Sequence, residues 1–151
     1  NLLAASDLAE STLETALTSI QKIKDDRGIL VGASAVSLHI PVDYWAVADR
    51  VLSSPGNTQT SAADANPNTN AINAVRHMGM VPEGYHINRR LTDTDAWFVK
   101  TDVPNGTKMF VRSPLQTKME PDFDTGNLRF KARERYSFGV SDWRGFFGSA
   151  G

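Results

Sequence analysis

The stretch that most constrains the fold is Leu128–Val140, which reads LRFKARERYSFGV. Apolar side chains occupy every second position and are interrupted only by Glu134. The positions between them carry four basic residues and a serine: Arg129, Lys131, Arg133, Arg135 and Ser137. A period of two places these sets on opposite faces of a β-strand, and thirteen residues at roughly 3.3 Å each reach about 43 Å, over twice the usual strand length. We therefore expect this strand to leave its own core and join a second region or a neighbouring subunit.

The composition is that of a folded domain. Of 151 residues, 40% are hydrophobic and 22% are charged, which argues against wholesale disorder. The formal net charge of −1 gives no general reason to expect nucleic acid or an acidic membrane as the main partner. The chain has no cysteine, which rules out disulfides and thiolate sites and agrees with a reducing cytoplasm. No apolar run approaches the roughly 20 residues of a membrane span.

The first half predicts two helices around one strand. Residues 6–27 have an apolar stripe at helical spacing, which we expect to pack in the core. Residues 36–40 alternate apolar and polar side chains and predict a half-buried strand that Pro41 ends. Asp43 can cap a second helix over residues 44–52.

Residues 53–70, SSPGNTQTSAADANPNTN, contain no large apolar side chain. Such a segment cannot bury enough apolar surface to offset an ordering cost of roughly 1–2 kcal/mol per residue. We therefore predict a mobile surface loop here.

The second half predicts mostly strands. A short strand is expected around Tyr85 and Ile87. Strands at 96–100 and 108–112 flank Asn105-Gly106, a dipeptide that favours a tight hairpin turn. Pro114 and Pro121 are expected to bracket a connection, and residues 124–127 to form a turn directly before the long strand.

No motif supports an enzyme or a metal site. The three histidines lack metal-ligand spacing, and no glycine-rich phosphate loop is present. Asp93 and Asp95 could serve acid–base chemistry or bind a hard cation, but capping a turn is the commoner role of carboxylates at this spacing. We expect no catalytic residue, no cofactor and no metal.

The basic positions of the long strand leave two interpretations open. They could hold phosphates along a sheet, as in a nucleic-acid-binding module that uses the face from Arg129 to Arg135. Aromatics for base stacking would then be expected on the same face, whereas Phe130, Tyr136 and Phe138 alternate with the basic residues. A solvated face, or one that pairs with acidic residues of a neighbour, is the favoured interpretation.

The segment ERYSFGVSDWRGFFGS (134–149) resembles the C-terminal end of tailed-phage major capsid proteins, which share the Hong Kong ninety-seven capsid fold. AWFVKTD (96–102) and KMFVRSPL (108–115) look like the penultimate strands of that family. SLHIPVDYWAVADRVLSS (37–54) looks like its strand, proline and helix. The resemblance thus covers nearly the whole chain.

The resemblance implies an α+β fold with a mixed or antiparallel sheet flanked by two or more helices. Residues 1–115 would form the axial domain, residues 116–140 a long strand pair of the peripheral domain, and residues 141–151 the return to the axial domain. Family members also carry an N-terminal arm, an extended loop and a long spine helix upstream. We therefore expect this chain, which starts at Asn1, to be a fragment.

The resemblance also implies a structural role in an icosahedral phage or prophage head. Copies would self-assemble into hexamers and pentamers in the cytoplasm of the bacterial host, would contact packaged DNA only indirectly and would not bind a membrane. The isolated fragment can remain monomeric. The residues we predict at subunit contacts are Arg129, Lys131, Arg133, Arg135, Trp143 and Arg144.

Overall fold

The computed structural model describes residues 3, 5–56 and 72–151, and it has the predicted α+β class. Most of the predicted loop, residues 57–70, lies outside the described residues. The helices are α1 (Glu10–Gln21), α2 (Trp45–Ser53) and α3 (Ala74–His77). The strands are β1 (Ala35–Ile40), β2 (Tyr85–Ile87), β3 (Trp97–Thr101), β4 (Thr107–Pro121), β5 (Leu128–Val140) and β6 (Phe146–Ser149).

The core is built on a four-stranded mixed sheet in the order β2-β1-β3-β6. β1 runs parallel to β2 and antiparallel to β3, and β3 runs antiparallel to β6. The register aligns Leu38, Val99 and Phe147 across three strands, and all three side chains are buried. This apolar face of the sheet forms the core together with the buried side chains of α1 and α2.

Helix α1 is shorter than the sequence predicts, although its apolar stripe is buried as expected. It begins at Glu10, where the Thr12 hydroxyl accepts a hydrogen bond from the Ala9 N–H at 2.8 Å. After Gln21 the chain turns back on itself, because Asp25 N–H donates to Ile29 O at 2.7 Å and Gly28 has a φ of +82°. The predicted last turn is therefore a small hairpin.

Strand β1 ends at Ile40, before Pro41, as predicted. A 3₁₀ turn over Val42–Tyr44 then leads into α2. The expected cap by Asp43 is wrong, because this residue lies inside the 3₁₀ turn and neither helix start has a side-chain capping bond.

Strands β4 and β5 form a separate two-stranded sheet, residues 107–140, here called the ribbon. The bounds of β5 agree with the prediction, whereas β4 continues far past the predicted residue 112. Its fifteen residues face thirteen in β5, and the register shifts at 111–113 and at 113–116 accommodate the two extra ones. Pro114 lies in the second bulge, where a missing N–H is tolerated, so the prediction that Pro114 and Pro121 bracket a connection is wrong.

The hairpin predicted at Asn105-Gly106 is also wrong. β3 pairs with β1 and β6, and β4 pairs with β5, so these two residues carry the chain from one sheet to the other. Asn105 does adopt the left-handed φ of 67° that its turn propensity predicts. The turn at the ribbon tip is confirmed, because Asp122 N–H donates to Asn127 O at 2.8 Å and Gly126 has a φ of +66°.

Candidate assembly surface

The ribbon has one apolar face that the rest of the described chain leaves exposed. The register pairs Met109 with Phe138 and Met119 with Phe130, and these four side chains are 52–72% exposed. The same face carries Val111 opposite Tyr136. Soluble monomers rarely expose so many neighbouring apolar side chains, and patches of this kind mark interaction sites.

The opposite face of the ribbon is basic. Its cross-strand pairs are Lys118 with Lys131, Gln116 with Arg133, Ser113 with Arg135 and Glu120 with Arg129. Arg129 donates to Asp122 at the ribbon tip, with Nη2 and Oδ2 2.7 Å apart. Among the described residues, Lys131, Arg133 and Arg135 have no ion pair, and all three are exposed.

The base of the ribbon is fixed to the core by close backbone contact. Ser141 N–H donates to Gly106 O at 3.0 Å, and Asp142 N–H donates to Asn105 O at 3.1 Å. Gly106 lies directly against Gly145, so that a Cβ added to Gly106 would come 2.8 Å from the Gly145 Cα. Only two glycines allow the incoming and outgoing connections to approach this closely.

Arg144 ties the outgoing connection to the turn after α1. Its side chain is 13% exposed, and Nη2 lies 2.8 Å from Asp26 Oδ1. The same guanidinium pairs with Asp142 at 3.4 Å and stacks 4.7 Å from the centre of the Trp143 ring. Its backbone carbonyl accepts a hydrogen bond from the Thr101 hydroxyl at 2.7 Å. Arg144 is therefore engaged within its own chain, while Trp143 beside it is 54% exposed.

The histidines are placed on different elements. His39 and His86 lie opposite each other on β1 and β2, with ring centres 5.4 Å apart, while His77 lies in α3. The pKa of His39 is lowered by partial burial and by the nearby His86 and Lys100, with Glu83 acting in the opposite direction. No group of three or more residues that could hold a metal ion occurs in the part of the chain that the structure describes.

The two aspartates considered for catalysis contact each other. A hydrogen bond with Asp93, followed by desolvation and by the negative charge of Asp93, raises the pKa of Asp95. Asp7 adds to this effect and accepts a hydrogen bond from the Tyr44 hydroxyl at 3.2 Å. Asp7 and Asp93 are exposed and Asp95 is partly buried, so the three carboxyl groups form an acidic surface.

The residue pattern alone did not predict the half of the surface that β4 supplies, although the family resemblance implied a strand pair over residues 116–140. Met119 and Lys118 belong to the apolar and the basic face, but the strand was expected to end before Pro114. The alternation of residues 116–120, QTKME, indicates a strand, but Pro114 just before it suggests that the strand has ended, because proline is tolerated inside a strand only at an edge or a bulge.

Within the described residues, no helix is long and apolar enough to cross a membrane.

Comparison with known proteins identifies the family of this chain. A solved structure from Mycobacterium phage Che8 is similar in fold, with a TM-score of 0.50 and 18% sequence identity. The similarity covers 99% of this chain and 53% of that one, so the chain spans about half the length of this relative. No curated protein matches the sequence. The family model described as phage capsid protein matches residues 1–148, and the chain belongs to the phage capsid protein family.

Proposed function

We propose that this chain is part of the shell subunit of an icosahedral phage or prophage head. Copies would assemble into hexamers and pentamers that enclose DNA, with the Hong Kong ninety-seven arrangement of axial and peripheral domains. The ribbon is the observation that carries the proposal. An isolated two-stranded sheet is marginally stable, and this one exposes both faces, so it gains most when neighbouring protein buries it.

The ribbon is the part of the chain that we assign to the periphery of the capsomer. The boundary expected after residue 115 would divide β4, and we therefore propose residues 107–140 as the peripheral unit. Residues 1–106 and 141–151 would form the axial unit near the centre of each ring. If each copy contacts the next one head to tail, the copies close into five- or six-membered rings when the rotation between neighbours allows it.

The proposed mechanism is geometric and involves no turnover. Apolar contact supplies binding energy, and complementary charge sets the register between neighbours. Of the predicted contacts, Lys131, Arg133 and Arg135 have no ion pair among the described residues, whereas Arg129 and Arg144 pair within the chain and the exposed Trp143 stacks against Arg144. Assembly would take place in the bacterial cytoplasm and end in the virion head.

Electron microscopy of the full-length parent protein tests this function. We expect closed particles under assembly conditions, and amide hydrogen exchange in residues 107–140 that slows in particles relative to free subunits. A full-length protein that stays monomeric under all assembly conditions would contradict the proposal.

A nucleic-acid-binding module remains the second candidate, because Lys131, Arg133 and Arg135 form an exposed basic face without an ion pair to any other described residue. Phe110 of β4 lies on that face, opposite Ser137. The aromatic residues of β5, which are Phe130, Tyr136 and Phe138, lie on the apolar face. Several neutralised phosphates would make affinity fall steeply with salt. Absence of DNA binding at low salt would remove this candidate.

A further inference from the structure

Charge is divided unequally between the ribbon and the remainder of the chain. Residues 107–140 carry seven basic and four acidic side chains, a net charge of +3. Residues 1–106 and 141–151, here called the body, carry nine basic and thirteen acidic side chains, a net charge of −4. The overall charge of −1 therefore conceals two regions of opposite sign.

Within the described part of one copy, no ion pair joins the ribbon to the body. Among the described residues, every ion pair lies either inside the ribbon, as Arg129–Asp122 does, or inside the body, where all involve Arg144. The body also has exposed carboxylates without an ion pair between described residues, among them Asp43, Asp49 and Glu83. Complementary charge is thus available for a contact between molecules.

The unpaired ribbon charges are concentrated on one side. Lys131, Arg133 and Arg135 follow one another at every second position, so their Cα atoms are about 7 Å apart along the strand. Lys118 lies directly opposite Lys131 and extends the same basic row. Like charges in a row repel one another, and an acidic partner relieves that repulsion when it binds.

We infer that the basic face of the ribbon binds the acid-rich body of a second copy of this chain. The inference rests on the proposed function. It adds that the partner of this face is a second copy, and that the contact joins a basic surface to an acidic one. Each copy has one ribbon and one body, so there is one binding partner for every ribbon. A contact from the ribbon of one copy to the body of the next repeats head to tail around a ring. The apolar face, on the other side of the ribbon, does not take part.

The test uses the full-length parent and two variants with the same change in net charge. K131E/R133E/R135E reverses the ribbon row, and R27E/R89E/R90E reverses three exposed basic side chains of the body. The critical protein concentration for particle formation is measured for each by light scattering and microscopy, from low to high salt. Circular dichroism and thermal unfolding of the subunits show whether each variant is folded.

We expect the ribbon variant to raise the critical concentration by about tenfold or more at low salt, because a favourable contact becomes a repulsive one. The body variant should change it much less, although it carries the same net charge. The difference between the ribbon variant and the wild type should shrink as salt rises, because screening weakens both attraction and repulsion.

Equal critical concentrations for the two folded variants would overturn the inference and leave the shell function intact, since the wild type would still form particles. A wild type that forms no particles would instead contradict the shell function itself. Binding to a labelled DNA duplex is measured with the same proteins. If the ribbon variant loses DNA binding but assembles like the body variant, the face belongs to nucleic acid and the inference is wrong.

Discussion

Two glycines determine how closely the ribbon approaches the core. Gly106 and Gly145 belong to the incoming and outgoing connections, and their backbones touch. Neither glycine has a positive φ, so an alanine fits the backbone at either position and any cost is steric.

We therefore predict that Gly106→Ala lowers the free energy of unfolding by about 1–3 kcal/mol, the usual range for overpacking. Its Cβ would lie 2.8 Å from the Gly145 Cα, and backbone cannot move aside as a flexible side chain can. Urea unfolding measures the change. Gly139→Ala is the matched control, because its Cβ meets only a Phe110 ring carbon at 3.4 Å. Equal losses in the two variants would contradict the prediction.

Arg144 is the other residue that fixes the ribbon base. We predict that Arg144→Ala costs about 1–2 kcal/mol of stability, since the pairing is charge-assisted but Asp26 is largely exposed. We also predict that Arg144→Ala broadens the distribution of ribbon orientations.

Because the chain has no cysteine of its own, spin labels attach only at cysteines introduced as D49C and D124C. The distance between the two labels then reports how far the ribbon tip lies from α2.

Arg129→Ala provides the control for that experiment. It removes an exposed ion pair inside the ribbon and should cost no more than about 0.5 kcal/mol, with an unchanged distance distribution. If Arg144→Ala leaves the distribution as narrow as in the parent, Arg144 does not hold the ribbon in place.

At the scale of elements, strands with a long period of two were predictable from the sequence, whereas pairings that depend on distant strands were not. β5 was predicted to the residue because all but one of its thirteen positions, Glu134, follow the same alternation. The prediction for Asn105-Gly106 was wrong because turn propensity is local, whereas β3 selects β1 and β6 as neighbours from elsewhere in the chain. β6 lies in the last ten residues and has no alternation of its own from which to predict it.

The core sheet contains a pH-sensitive position. His39 has a pKa below its ordinary value of 6.5, so the unfolded chain binds more protons than the folded chain between the two pKa values. We therefore expect His39 to lower the stability of the fold as the pH falls below about 6.5. We predict that His39→Gln makes the free energy of unfolding less dependent on pH between about 7 and 5.

Chemical unfolding at a series of pH values measures this dependence. His77→Gln serves as the control, because it replaces an exposed histidine of α3 that lies outside the sheet. The prediction fails if both variants flatten the pH dependence to the same extent.

The apolar face of the ribbon should matter for assembly and hardly at all for folding. Phe130 and Phe138 are 65% and 72% exposed, so we predict that F130S/F138S changes the unfolding free energy by less than about 1 kcal/mol. The same variant should prevent particle formation by the full-length protein, as measured by sedimentation velocity. Met78→Ser, at an exposed apolar residue of the body, should do neither. Particles formed as readily by F130S/F138S as by the parent would exclude this face from assembly.

For the whole molecule, the sequence predicted the fold class, but it predicted the two faces of the ribbon only in part. The overlong strand predicted that it leaves its own core for a second region or a neighbouring subunit, and it does form a sheet separate from the core sheet. The excess of basic charge in β5 was visible in the sequence, whereas the cross-strand neighbours that β4 supplies to it were not. Pairing between Arg144 and Asp26 could not be predicted, because 118 positions separate them and no local pattern joins them.

The two ends of the ribbon meet at a hydrogen bond between Ser141 and Gly106, so the remainder of the chain closes on itself without the strands in between. Such an insertion is modular: its length can change in evolution while the core sheet keeps its register. Two residue pairs added to the hairpin would preserve which side chains share a face and lengthen the arm by about 7 Å. Insertions and deletions among natural homologues should therefore fall in the ribbon, in multiples of four residues wherever no bulge absorbs a single extra residue.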